Sequence, residues 1–243
     1  MPIPRRRQWL SCNIPMLLDL VVLAYVVQTR FLLGGSMVLC AVLSTMTLWS
    51  LHQAALARPG RASAVDVDRK HPVCAWCDVT KLPRTHHCRW CRECVERYDH
   101  HCIWIDNCVG RSNHKAFILF TFYILAAIVH YLVMLGGFIL DGRLFRVVEM
   151  GRIGIVMLVL MLFYVGFVVP TTILAAVFLC SSVVMTLRNQ TTYERSHSPE
   201  SRLVYSKGCL RNWCEVFGDR AELWLLPTLV HKTAGSISTV EHV

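Results

Sequence analysis

The chain has 243 residues, of which 54% are hydrophobic, and its formal net charge is +9. This apolar content, grouped in long runs, points to a membrane protein. No isolated soluble basic domain presents the positive charges, so nucleic-acid binding is excluded and we attribute the charge to membrane topology.

Four apolar segments follow one another along the chain. Residues 14–51 form a long run that Gly34-Gly35 divides into two spans, about 10–29 and 34–56. A third run covers residues 116–140, and a fourth covers 153–187 with Pro170 inside it. A helix needs about 20 apolar residues to cross a bilayer. The pattern therefore predicts four transmembrane helices.

Basic residues indicate how these spans are oriented. Three arginines stand at positions 5–7, eleven arginines and lysines lie in residues 58–115, and seven lie in residues 188–243. Cytosolic loops carry an excess of such residues. Both termini and the loop between the second and third spans are therefore predicted to be cytosolic. No internal repeat is apparent in the sequence.

The cytosolic loop contains a dense cysteine cluster. Seven of the twelve cysteines and four histidines fall within residues 74–108. Thiols stay reduced in the cytosol, and paired Cys-x2-Cys steps with histidines are typical of zinc sites. Two closed zinc sites need eight ligands, so three of these eleven groups are left over. Spacing does not identify the three.

One cysteine of the cluster has a distinctive neighbourhood. Asp99, His100 and His101 directly precede Cys102. A thiol with a histidine base and an orienting carboxylate is the arrangement of a nucleophilic cysteine. From these residues alone, Cys102 is either a nucleophile or one more zinc ligand.

The cluster resembles that of the DHHC-type S-acyltransferases, the protein palmitoyltransferases. The similarity covers the cysteine block through Asp99-His100-His101-Cys102 and Cys108, with Asn113 and Phe117 after it. It extends to Thr191-Thr192-Tyr193-Glu194, which is similar to the family's Thr-Thr-x-Glu motif, and more weakly to Asn212 before Val216-Phe217-Gly218. Ile103 stands where the family often has proline, and this difference touches neither a ligand nor the Asp-His-Cys trio.

The resemblance implies a role for each group. Two structural zinc ions would be bound, one by Cys74, Cys77, His87 and Cys94, and the other by Cys88, Cys91, His101 and Cys108. The catalytic residues would be Cys102 as nucleophile, His100 as base and Asp99 as its orienting carboxylate, with Trp104 packing on the acyl chain. Palmitoyl-CoA would be the acyl donor, and its phosphates would find candidate cations in Lys81, Arg84, Arg89 and Lys115.

These expectations define an all-α membrane protein with four transmembrane helices and a cytosolic cysteine-rich zinc-binding domain between helices 2 and 3. Its predicted parts are residues 1–57 with the first two spans, the zinc domain 58–115, the last two spans 116–187 and the cytosolic tail 188–243. The partners would be acyl-CoA, the lipid bilayer and membrane-associated substrate proteins with cytosolic cysteines, in an endomembrane such as Golgi or endoplasmic reticulum. The alternatives are a non-catalytic zinc-stabilised membrane scaffold and a metal sensor or transporter.

Overall fold

A computed structural model describes residues 13–34, 36–62, 71–197 and 204–228. The predicted cytosolic residues 1–12, with the three arginines, and the tail residues 229–243 lie outside these ranges. The described part is mostly helical, with α1 (Asn13–Val27), α2 (Met37–Leu56), α3 (His114–Leu140), α4 (Arg143–Glu149), α5 (Arg152–Leu187), α6 (Thr192–His197) and α7 (Cys209–Phe217).

Three of these helices, α2, α3 and α5, are long and apolar enough to cross a membrane. They begin and end close to the predicted second, third and fourth spans. The first predicted span corresponds to α1, which has 15 residues and continues into a five-residue π-helix, Gln28–Leu32. Pro170 lies inside α5, and the helix continues through it.

The helices pack around α3, which contacts both α2 and α5, while α1 packs against α2. Several polar side chains within this bundle pair with one another, which is favourable in a bilayer interior. The Tyr131 hydroxyl donates to Gln28 Oε1 at 2.8 Å, and the Tyr25 hydroxyl is 2.8 Å from His130 Nδ1. Asp19, an acidic residue within α1, has its Oδ2 atom 3.6 Å from His52 Nε2 of α2.

The cysteine-rich region contains two antiparallel hairpins, which the all-α prediction did not include. Strand β1 (His86–Cys88) pairs with β2 (Glu93–Val95), and β3 (His100–Cys102) pairs with β4 (Asn107–Val109). Each strand has three residues, so none carries enough alternating positions to be visible as a pattern in the sequence.

The two hairpins are copies of one unit, and the prediction of no internal repeat is therefore wrong. His86-His87-Cys88 aligns with His100-His101-Cys102, and both pairs of strands have the same register. The 14-residue period extends back to the turn after Cys74. Three turn residues 14 positions apart share positive φ values of 53°, 56° and 48°, namely Asp78, Arg92 and Asp106.

Candidate active site and metal centres

Four side chains from the first part of the cysteine-rich region converge on one point. They come from the turn after Cys74, from β1 and from β2. His87 Nδ1 lies 3.7 Å from Cys74 Sγ, 3.1 Å from Cys77 Sγ and 4.0 Å from Cys94 Sγ. Trp76 stacks on the His87 ring, with the two ring centroids 6.3 Å apart.

A second group of four repeats this arrangement one unit later. His101 Nδ1 lies 3.4 Å from Cys91 Sγ and 3.7 Å from Cys108 Sγ, and those two sulfurs are 3.4 Å apart. Cys88 completes the group. Trp90 stacks on the His101 ring at 6.2 Å between centroids, in the way that Trp76 covers His87.

Both groups fit a zinc ion. Within each group the ligand atoms all lie within 4.8 Å of one another, and these are the two metal-binding groups found among the described residues. A tetrahedral site with Zn–S bonds of about 2.3 Å separates its sulfurs by about 3.8 Å, close to the distances observed. Three thiols and one imidazole are a donor set typical of structural zinc. The two clusters could therefore bind zinc, and they contain the eight residues that the resemblance groups together.

Cys102 takes part in neither group. Its side chain is buried at 3% exposure, in an apolar cluster formed by the ends of α1 and α2, the β3–β4 hairpin and the start of α3. Members of this cluster include Leu18, Leu51, Ile105 and Phe117. The thiol therefore lies where the cysteine-rich region meets the membrane helices.

Asp99 and His100 form a hydrogen-bonded pair beside this thiol. Asp99 Oδ2 accepts a hydrogen bond from His100 Nδ1 at 2.7 Å. The remaining ring nitrogen, Nε2, is left for Cys102, whose thiol interacts with the ring. Phe117 packs edge-on against the same ring, with centroids 5.3 Å apart.

The electrostatics of the pair favour a charged imidazole. Burial lowers the pKa of His100, but the hydrogen bond and charge of Asp99 and the contact with Cys102 raise it to about 9. Burial also favours the neutral acid at Asp99, yet the hydrogen bond from His100 and nearby positive charge hold the pKa of this carboxyl well below its usual range. The pair can therefore hold a proton next to Cys102.

The tail fixes the other side of Asp99. Thr192 donates its backbone N–H to Asp99 Oδ1 at 2.8 Å, so both carboxylate oxygens are bonded. Glu194 binds Arg84 through two hydrogen bonds of 2.6 and 3.0 Å. Thr192 and Glu194 both belong to the Thr-Thr-x-Glu motif, which was the signal in the sequence for this contact.

Two asparagines attach the β3–β4 hairpin to the end of α2. Asn107 donates to the carbonyl oxygens of Ala54, Ala55 and Ala57 at 2.8 to 3.2 Å. Asn113 donates to Ala54 O at 2.9 Å and to Cys108 O at 2.8 Å. These side chains satisfy carbonyl groups that the last turn of a helix leaves without partners, and they hold Cys102 against the membrane helices.

Two of the four cations considered for CoA phosphates are already engaged. Arg84 binds Glu194 and Asn189. Lys115 is 4% exposed, and its ammonium group donates to Leu223 O at 2.8 Å and Thr228 Oγ1 at 3.1 Å. Lys115 therefore anchors the tail to α3, and the suggestion that it holds a phosphate is wrong for this arrangement.

The remaining predicted positions are open to solvent or lipid. Lys81 is half-buried, Arg89 is exposed beside the Trp90 ring, and Trp104, two residues after Cys102, is 39% exposed. Trp104 corresponds in the repeat to Trp76 and Trp90, but it has no metal-binding histidine to cover.

Comparison with known proteins agrees with the geometry. The family model of the DHHC palmitoyltransferases matches residues 68–199, which is more than half of the chain. A search among curated proteins found no match. The matched region contains both metal-binding groups, the Asp99–His100 pair and the tail motif that contacts it. The chain belongs to the DHHC palmitoyltransferase family.

Proposed function

We propose that the protein transfers a long-chain acyl group, palmitoyl, from acyl-CoA to cysteine thiols of substrate proteins through an acyl-enzyme on Cys102. The observation that carries the proposal is the Asp99–His100 hydrogen bond of 2.7 Å beside a thiol that neither metal-binding group uses. The family supplies the reaction class, and this arrangement supports the covalent route.

The proposed chemistry proceeds in two balanced halves. His100 Nε2 takes the proton of Cys102, and Asp99 stabilises the charged ring. The thiolate attacks the acyl-CoA thioester, the bond between carbonyl carbon and CoA sulfur breaks, and the CoA thiolate takes up the proton. A substrate thiol then attacks the acyl-enzyme by the same steps and restores Cys102. One thioester replaces another, so the exchange requires no external energy source.

The surroundings of Cys102 suit a substrate with an apolar tail and a charged head. Each methylene that leaves water contributes about 0.8 kcal/mol, so a palmitoyl chain belongs among the helices. A cavity between α1, α2, α3 and α5 is lined by Tyr25, Thr47, Ala127 and Tyr164, among others. Ala127 is a small residue in this lining, and we propose that the acyl chain extends towards it from Trp104.

Zinc would have a structural role in this scheme. We assign one ion to the group around His87 and the other to the group around His101. Each group supplies four ligands and leaves no open position for water or substrate, which is typical of structural sites. The ions would fix a region whose strands are too short to form a hydrophobic core.

We further propose four membrane spans, with both termini cytosolic and the domain limits given above. The helical segment of α1 and its π-helix covers 20 residues, about 30 Å at 1.5 Å per residue. An even number of spans returns the chain to its starting side, so the loop and the tail that contacts Asp99 share the cytosol. Golgi or endoplasmic reticulum is the proposed location.

Labelling with clickable palmitoyl-CoA tests the function. The purified protein should acquire a hydroxylamine-sensitive label, and Cys102→Ser should abolish it while retaining two zinc ions. Cys180→Ser, which removes an exposed thiol of α5 far along the chain from the motif, should label like the wild type. Persistence of the label in Cys102→Ser would exclude the acyl-enzyme role of Cys102.

A further inference from the structure

The internal repeat places Cys102 where the other two units have a metal ligand. Cys74 and Cys88 begin the first and second units, and Cys102 begins the third. In both metal-binding groups the other ligands stand three, thirteen and twenty residues after that first cysteine. The same spacing counted from Cys102 reaches Ile105, Lys115 and Phe122.

Two of these three positions lie in a helix, and not in a strand as the matching ligands do. Lys115 and Phe122 belong to α3, whereas the matching residues of the earlier units lie in strands. Lys115 is committed to the tail through Leu223 O and Thr228 Oγ1. Phe122 is 40% exposed on the helix bundle. Neither position could complete a metal site at Cys102.

Ile105, unlike Lys115 and Phe122, lies in the same buried cluster as the Cys102 thiol. Its side chain is 1% exposed and belongs to the same buried cluster as Cys102. The residue after it, Asp106, keeps the positive φ found at the same place in the two metal-binding turns. The backbone of a Cys-x2-Cys turn is therefore retained, and only the second side chain differs in kind.

A cysteine at position 105 would change the chemistry of this turn. Cys102 and a cysteine at position 105 would supply two thiols at Cys-x2-Cys spacing. His100, whose ring interacts with Cys102 and whose Nε2 is not used by Asp99, would be the third candidate donor. Three protein donors and one open position make up a zinc site of the catalytic type, and two thiols with one histidine are a known donor set for it. The thiolate is both the nucleophile and the metal ligand, so a zinc-bound Cys102 would attack a thioester more slowly than a free thiolate.

We propose that Ile105 keeps Cys102 free of metal. The Cys102 hairpin is a third copy of the repeated zinc-binding unit, and isoleucine at the position of the second cysteine leaves the Cys102 thiol available for chemistry. The inference rests on the proposed role of Cys102 as nucleophile. Isoleucine has no lone pair to offer, and it fills the volume that a second ligand would occupy.

The test counts metal ions in two variants of the full-length protein. Ile105→Cys supplies a ligand. Ile105→Ser is its matched control, because a serine side chain is similar in size to that of cysteine but binds zinc poorly. Both are purified under a phosphine reductant, exposed to micromolar zinc, desalted and analysed for bound zinc. Wild type and Ile105→Ser should hold two ions, and Ile105→Cys should hold three. Zinc should reduce palmitoyl labelling of Ile105→Cys by about tenfold or more, with recovery after mild chelation, because the metal occupies the thiolate.

The proposal is overturned if Ile105→Cys holds two zinc ions and labels as Ile105→Ser does in the presence of zinc. Should Ile105→Cys not accumulate as folded protein, Ile105→His introduces another zinc ligand and the same count decides. The zinc count needs no acyl donor. A wild type without label on Cys102 would therefore refute the proposed function, while the third ion in Ile105→Cys would still establish the role of Ile105.

Discussion

The two hairpins of the cysteine-rich region share strands, register and turn, yet their cysteines have different surroundings. Cys88 at the end of β1 belongs to the second metal-binding group, whereas Cys102 at the end of β3 belongs to none among the described residues. The local backbone is therefore not what distinguishes a ligand from a candidate nucleophile. The difference arises from the side chains at the positions where a metal would need its other donors.

The first histidine of each hairpin shows the same contrast. His86 follows Thr85, packs on Tyr193 with ring centroids 3.9 Å apart, and has its pKa lowered by burial. His100 follows Asp99, and that carboxylate raises its pKa in spite of burial. One acidic residue in place of a threonine thus changes a packed, neutral imidazole into one that can hold a proton beside a thiol.

The largest effect should come from disturbing the cysteine that serves as a ligand. Cys88→Ser is expected to lower bound zinc from two ions to one and to reduce the yield of folded protein, because a hydroxyl is a weak zinc ligand. Structural zinc contributes on the order of 10 kcal/mol to the folding of small zinc domains. Elemental analysis and thermal unfolding measure both quantities.

Cys102→Ser is the matched substitution in the other hairpin. It should keep both ions and the thermal midpoint while losing the acyl label. If Cys88→Ser retained two ions and wild-type stability, the assignment of Cys88 to a zinc site would be wrong. The two hairpins would then not differ in whether their cysteine binds zinc.

A smaller effect, on rate alone, is expected at the paired histidines. His100→Ala should slow formation of the acyl-enzyme by about 10²–10⁴-fold, since it removes the general base. His86→Ala should leave this rate near the wild-type value and cost about 0.5–1.5 kcal/mol of stability through lost ring packing on Tyr193. Single-turnover labelling and thermal unfolding separate the two quantities. Equal loss of rate in both variants would contradict a specific role for His100.

The sequence contains enough to predict the apolar helices, because each lies in a mostly apolar stretch of about 20 or more residues, and to group the eight ligands through the family resemblance. It does not reveal the hairpins, whose three-residue strands are too short to show a period. Nor does it reveal that Lys115 is buried, since a lysine at the start of a span is usually expected to face water. Its burial depends on Leu223 and Thr228, more than 100 residues later.

The repeat itself was hidden for a related reason. Apart from the cysteines, histidines and tryptophans, the units share few identities, and those residues are already explained as ligands or interfacial anchors. Positive φ values at Asp78, Arg92 and Asp106 are invisible in the sequence, because none of these residues is a glycine. The backbone shows that the turn after each of Cys74, Cys88 and Cys102 is the same turn used three times.

The tryptophans of the repeat provide the most sensitive comparison, since each stands two residues after the first cysteine of its unit. Trp90 stacks on the metal-binding ring of His101, so Trp90→Ala should lower the thermal stability of the zinc-bound protein by about 0.5–1.5 kcal/mol and leave the labelling rate unchanged. Trp104 follows Cys102 by two residues and has no such ring to cover. On the proposed contact with the acyl chain, Trp104→Ala should weaken labelling by palmitoyl-CoA more than by acetyl-CoA, because a short acyl group has no chain to pack on the indole. Equal losses with both donors would place Trp104 with Trp90 as a structural residue. A selective loss with the long chain would show that the third unit has exchanged a metal-binding partner for an acyl chain at this position, as it has at Cys102.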